Sequence, residues 1–288
     1  MARIALFGTL LAWCLAGAAP TPRAETAGLR LLYVPDAAPF SELENGHPEG
    51  YAITLCTAIA AALRPGATPV WQPAAIAAGI DRIARGEADL LCGPVTDTVA
   101  RESQVAFSSP VAIGGIGALL RPGAPPWLRH LLGMDAATVP PRELLDTLNW
   151  PTRIAVVRAG TAADWLQRRL AEAPFGVSAH PVADYQEAGR LLAAGTVGAW
   201  IGEWTVLAHR RLADPSLAAM TLAPEPIEGE PIALAMRPDP ALRRAVQAAL
   251  SRILRGPDLP ALMGRWFGPA GRSQADMIRA VTPPAGTP

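Results

Sequence analysis

The chain has 288 residues, half of them apolar, and its 25 basic and 25 acidic side chains cancel formally. That length and apolar content suffice for one large core or two modest ones, which excludes whole-chain disorder, and the balanced charge removes the electrostatic case for nucleic acid or an anionic membrane surface. All 25 basic residues are Arg, a bias that, with abundant Ala, Gly and Pro, reads as a GC-rich coding sequence and says nothing about a ligand.

Residues 1–24 read as a secretory signal peptide: Arg3 supplies the charged start, residues 4–15 are apolar, and small residues at 16–19, with a second option near Arg23 and Ala24, suit cleavage. An apolar run this short, followed by Pro20, Thr21 and Pro22, fits export better than packing as a buried helix. Cys14 follows the bulky Trp13, where a lipidated cysteine would follow a small residue, so no lipid anchor is expected. Beyond it the longest apolar stretch, residues 107–120, is short and interrupted by Ser, Pro and Gly, so a soluble periplasmic protein is expected. Export leaves Cys56 and Cys92, and in an oxidising compartment an even pair is bridged more often than free; two buried, unpaired thiols are the alternative. No CxxC pair and no histidine cluster points to a metal, redox chemistry or a cofactor.

The run LRLLYV at residues 29–34 predicts a strand, and Asn45, Gly46 and Pro48 mark a turn-rich stretch after it. Residues 52–63 predict a helix with Ile53, Cys56, Ile59 and Ala60 on one face, stopped by Pro65 and Gly66. A strand at Val70 and Trp71, a helix over 76–85 and the strand ADLLCGPVT, entering a loop at Gly93 and Pro94, complete a strand–helix alternation that implies a parallel sheet. A second α/β unit follows, with strands at 113–121, 153–157 and 198–202 and helices from Thr161 and over 185–194. The Pro-rich segment 122–151 separates the units, carries helical pieces at 127–132 and 142–148, and reads as an elaboration of the second lobe. The chain ends with a strand at 231–236, a helix over 240–255 with a Leu242, Val246, Leu250 and Leu254 stripe, a shorter helix at 259–267, and no persistent pattern from Gly268.

Five segments together resemble the family 3 extracellular solute-binding proteins of amino-acid ABC importers. They are Pro39-Phe40 with Gly50-Tyr51; GEADLLCGPVTDTVARESQVAFSSP, with Asp89, Thr96, Arg101, Phe107 and Pro110 at matching places; RIAVVRAGTAADWL; GTVGAWIGEW; and LPALMGRWFG. The resemblance implies a type II periplasmic-binding-protein fold: two α/β lobes, each a mainly parallel sheet flanked by helices, joined by two crossing strands near 111–117 and 231–235 with the ligand between. On that basis residues 25–111 form the first lobe, 112–231 the second, 232–270 the return and closing helices, and 271–288 a tail.

An amino-acid ligand presents a carboxylate and an ammonium, which call for a planar bidentate donor and an acidic acceptor. The resemblance places Arg101 on the carboxylate and Glu203, where relatives usually carry Asp, on the ammonium. It adds Thr96 and Pro94 at the strand end, Thr161 and Ala162 at a helix start, and Phe40; Trp204 is the candidate for a ring beside the ligand. Thr161 can also cap its helix while the first amides and the positive dipole end face an anion. Ala37 stands where many relatives have an aromatic wall, and Ala162 replaces a frequent second Thr. The expected function is that of a monomeric binding component delivering a small ligand to an inner-membrane permease. The alternatives are a dehydratase-like enzyme acting on acids such as prephenate or arogenate, disfavoured because none of the four histidines falls in a site segment, and an accessory or sensor protein.

Overall fold

The computed structural model describes residues 28–134, 150–171, 173 and 176–286, so the expected signal peptide and the helical piece at 142–148 lie outside the described residues. The apolar runs condense into one continuous ten-stranded sheet. Its first half holds β1 (Arg30–Tyr33); β2 (Asp36–Ala37), β3 (Ser41–Glu44) and β4 (His47–Glu49) make a separate small sheet; α1 (Tyr51–Leu63), β5 (Val70–Pro73), α2 (Ile76–Ala84), β6 (Leu90–Thr96), α3 (Val99–Glu102) and β7 (Ala106–Phe107) follow. Next come β8 (Ala112–Leu120), α4 (Pro126–Leu131), β9 (Arg153–Val157), α5 (Thr161–Leu170), β10 (Ser178–Val182), α6 (Tyr185–Ala193), β11 (Ala199–Glu203), α7 (Trp204–Ala213) and β12 (Thr221–Leu222). The chain returns through β13 (Glu228–Met236), α8 (Pro240–Leu254) and α9 (Leu259–Val281).

Strand order is β10-β9-β11-β8-β13-β6-β1-β5, and the pairs β1–β5, β1–β6, β9–β10 and β9–β11 are parallel. The antiparallel strands β8 and β13 join the halves. β8 pairs β13 through Ala112 to Ile116 and β11 through Ile116 to Leu120, while β13 pairs β8 from Glu228 to Ile232 and β6 from Ile232 to Met236. This is the two-lobed α/β architecture expected from the sequence, with both crossing strands running the full width of the joint.

The central strands β8, β9 and β11 of the second half bury both faces, so their side chains alternate between two packed layers. Leu119, Ala155 and Trp200 pack on one side, and Ala118, Leu120, Ile154, Val156 and Ile201 on the other. In the first half the predicted α1 face is buried, with α1 packed on β6, and the Leu242, Val246, Leu250 and Leu254 stripe of α8 is buried as α8 packs against α1 and α9. The Cys56–Cys92 disulfide ties α1 to β6, with 6.4 Å between its Cα atoms. Asp89 anchors the start of β6: its carboxylate accepts the backbone amide and the guanidinium of Arg30 at 2.9 Å each, with Arg237 at 3.5 Å.

Two stretches differ from expectation. The turn-rich stretch after β1 contains the β3–β4 hairpin, closed by Asn45 and Gly46 with φ of 50° and 79°, the backbone signature of a two-residue primed turn. The tail expected from residue 271 is instead helix: at Gly268 the chain adopts φ 64° and then resumes α9 through Pro269 to Val281. The Gly268-Pro269 pair reads as a stop, whereas the chain kinks there and continues, burying Gly271, Ala275 and Ile278. Two of those three are too small to register as an apolar stripe. Gln274 on this segment brackets the crossing strand, accepting from the Ile113 amide at 3.3 Å and donating to the Ile113 carbonyl at 2.9 Å. No described helix is long and apolar enough to cross a membrane.

Candidate functional site

The two halves face each other across a cleft at the carboxyl ends of their parallel strands, the place where open α/β sheets bind ligands. The first half contributes the α2 start at Ala75 to Ala77, Pro94 and Thr96 from β6, and Arg101 from α3. The second contributes Val157 to Ala162 without Ala159, Tyr185, and the β11 end at Ile201 to Glu203; the crossing strands add Ile116 and Glu230. Together they enclose a cavity of about 50 Å³. A larger open groove, lined by Phe107, Arg243 and Gln247 among others, lies on the outer side of the first half.

The local backbone explains how these groups arrive here. β6 sits between β1 and β13, where proline would break the ladder, and the strand bulges at that point: Leu91 pairs Ala235 and Val95 pairs Ala233, leaving Gly93 and Pro94 outside the regular register. The bulge turns Thr96 towards the cleft. Beyond it, Thr98 caps the short α3, accepting from the Arg101 amide at 3.3 Å, and Arg101 folds back so that Nη1 donates to the Thr96 carbonyl at 2.8 Å. Burial pushes the Arg101 pKa down while the carboxylate of Glu230, first among its charged neighbours, pushes it up; a guanidinium stays charged throughout.

The centre of the cleft is a carboxylate. Glu230 Oε2 accepts from Thr96 Oγ1 and Thr161 Oγ1, both at 3.0 Å, so one oxygen joins a hydroxyl from each half. Burial raises the Glu230 pKa, against the two threonine hydrogen bonds and the Arg101 charge. Thr161 does not cap α5, contrary to expectation: Gly160 is the cap residue and makes no side-chain bond, which leaves the threonine hydroxyl, one position later, for Glu230. Ala162 is buried on the cleft wall.

Glu203 lines the cleft and also secures the joint. Oε2 accepts from the Val206 amide at 2.9 Å and caps α7, while Oε1 accepts from the Gly115 amide and the Thr205 hydroxyl, both at 3.2 Å. Gly114 permits this, since a Cβ there would lie 2.4 Å from Glu203 Oε1. Burial pushes the Glu203 pKa up to about 7, against the lowering from those donors. In the unfolded chain the same group titrates near 4.5. Between these values the folded state holds more protons than the unfolded, so stability falls as pH rises from about 4.5 to 7 and then levels off. The expected loss from this group is about 3 kcal/mol. Urea unfolding of the native protein and Glu203→Gln at pH 5 and pH 8 checks it: the native protein should lose more stability than the variant, and equal losses would refute it.

Two residues expected at the site are elsewhere. Phe40 is wholly buried in the first-half core, with its ring 5.1 Å from that of Phe267, because the loop between β2 and β3 turns it inward. Trp204 donates from Nε1 to the Ala223 carbonyl at 2.8 Å and lies against Gly117 of β8, where a Cβ would be 2.8 Å from the ring, so it packs on the joint. The cleft wall is therefore mostly aliphatic, with Tyr185 as its ring. Tyr185 and Glu230 were missed in the sequence. Tyr185 follows the Asp184 cap of α6 at a strand-to-helix junction, a position that could have flagged it. Glu230 sits in register with Ile232 on β13, but Pro231 reads as the strand start and hides it.

A second contact spans the mouth. Asp36 Oδ2 accepts from the Gln186 amide at the start of α6 at 2.9 Å, and Arg210 donates to the Asp36 carbonyl at 2.8 Å. Among the described residues, no three His, Cys, Asp or Glu side chains are grouped to hold a metal ion.

Comparison with solved structures returns the same fold. An ancestral arginine-binding protein bound to glutamine superposes with a TM-score of 0.68 at 23% identity, covering 83% of this chain and 97% of that one. An ABC uptake transporter substrate-binding protein from Streptococcus pneumoniae with bound histidine gives 0.69 at 16%, covering 84% and 93%. A histidine kinase sensor domain similar to periplasmic binding proteins gives 0.68 at 21%, covering 85% and 98%. No curated protein sequence matches. The model of the bacterial extracellular solute-binding proteins, family 3, matches residues 29–269, and the chain belongs to that family.

Proposed function

We propose that this chain is an exported, periplasmic substrate-binding component of an ABC importer that holds an amino acid or similar small carboxylate in the interlobe cleft. One observation carries the reading: hydroxyls from both halves already converge on a carboxylate oxygen, beside a half-buried arginine. A ligand carboxylate presented there would meet the same Thr96, Thr161 and Arg101. Its ammonium would face Glu203, the acidic side chain at the β11 end of the same cleft. Two of the superposed neighbours contain an amino acid, which supports the ligand class.

Binding would begin on one lobe and stabilise the closed form through the other, because only a ligand with unequal affinity for the open and closed forms shifts the hinge equilibrium. The closed form is then what a permease would recognise. A thermal-shift screen of the purified protein against the amino acids and related small carboxylates tests this, since a ligand bound only by the folded state raises the melting temperature. A selective shift by one amino-acid class supports the reading. No shift across the panel contradicts it, and a small acid consumed during the assay would move the assignment to a lyase.

A further inference from the structure

We propose that Glu230 is a built-in competitor, a tethered carboxylate that holds the ligand-carboxylate position between Thr96 and Thr161 and must leave before a ligand can take it. This rests on the reading of the cleft as a carboxylate-binding site. The contacts carry it: a single oxygen is shared by one hydroxyl from each half, at 3.0 Å in both cases. A ligand carboxylate on the same hydroxyls would stand within a few ångströms of Glu230, and two carboxylates that close do not both stay ionised and in place. The remaining cavity of about 50 Å³ admits a few water-sized groups, so the side chain must also move to make room.

The tether allows that movement. Glu230 lies on the crossing strand β13, next to Gly229, whose Cβ position meets no atom within 4 Å. Its carboxylate reaches the threonines through a flexible side chain that is only partly buried and can rotate outward. With Glu230 in place the site competent for a ligand carboxylate is a fraction of the population, and apparent affinity falls by that fraction. Because the same oxygen bridges the two halves, Glu230 also draws them together in the absence of ligand. It thus sets both the affinity threshold and the resting closure of the cleft.

The test compares native protein with Glu230→Ala by calorimetric titration with whichever amino acid gives the largest thermal shift, and by melting in sodium acetate against sodium chloride. Removing the competitor should tighten amino-acid binding by about a hundredfold or more, the value of two hydrogen bonds to a charged group. Free acetate should fill the vacated position and raise the melting temperature of Glu230→Ala more than that of the native protein. Unchanged or weaker amino-acid binding by the variant, or equal acetate shifts in both proteins, would overturn the proposal; weaker binding would make Glu230 a contact for the cationic part of the ligand. Acetate rescue without any amino-acid binding would support Glu230's role while sinking the amino-acid receptor reading. Glu230→Ser also vacates the position between the threonines, and its amino-acid affinity is read in the same way if the alanine variant does not fold.

Discussion

Arg101→Ala is expected to weaken binding of the cognate amino acid by about a hundredfold, measured by calorimetric titration, while far-ultraviolet circular dichroism stays that of the native protein. The guanidinium is held by its own loop: Thr98 caps α3, and Nη1 rests on the Thr96 carbonyl at 2.8 Å. Its fork is therefore placed before any ligand arrives, and little ordering cost falls on binding. Truncating one partner of a buried, hydrogen-bonded charge pair typically costs about 2–5 kcal/mol, or roughly thirtyfold to several thousandfold in affinity. Arg101→Lys should fall between native and alanine, because it keeps the charge and loses the planar bidentate geometry. Structural cost is small, since the alanine variant leaves one carbonyl of a cleft-facing loop without that donor. A loss of under threefold in the alanine variant would remove Arg101 from the site.

Removing the Cys56–Cys92 disulfide has the largest expected effect on the fold. The bridge spans 36 residues of sequence, and both cysteines are fully buried between α1 and β6. In the chain-entropy account, closing a loop of that length removes about 4 kcal/mol of freedom from the unfolded state at 25 °C. For a chain of this size that corresponds to a melting temperature lower by about 10 °C. The Cys56→Ala/Cys92→Ala double variant should show this in urea unfolding as a lower midpoint. A loss below about 1 kcal/mol would contradict the chain-entropy reading of this bridge.

The same pair illustrates what the sequence alone could decide. Two cysteines left after an expected signal peptide suggest a bridge, but whether they can meet depends on α1 packing across β6, which is a tertiary fact. The strands with continuous apolar runs, such as LRLLYV and the GAWIG segment, were legible because burial on both faces needs no alternation. Helix α1 and the α8 stripe were legible by spacing. The α9 extension was not, because Gly271 and Ala275 achieve burial through smallness.

At the site the block around Arg101 was readable, since a strand end, a capped turn and an arginine follow one another within a few residues. Glu230 was not, because its importance comes from two partners at sequence distances of 134 and 69. The pairing of Thr96 with Thr161 exists only once the halves face each other. Phe40 and Trp204 were misplaced for a related reason: an aromatic residue near a site segment can turn either into the cleft or into the core. The inward turn of the β2–β3 loop and the glycine surface at Gly117 settle those directions.

The most direct measurement is a crystal structure of the protein with its best-stabilising amino acid bound. The ligand carboxylate is expected within hydrogen-bonding distance of Arg101, Thr96 and Thr161, its ammonium towards Glu203, and Glu230 turned away from both threonines. A ligand seated in the outer groove beside Phe107 and Arg243, or one lying in the cleft with its carboxylate away from Arg101, would contradict it.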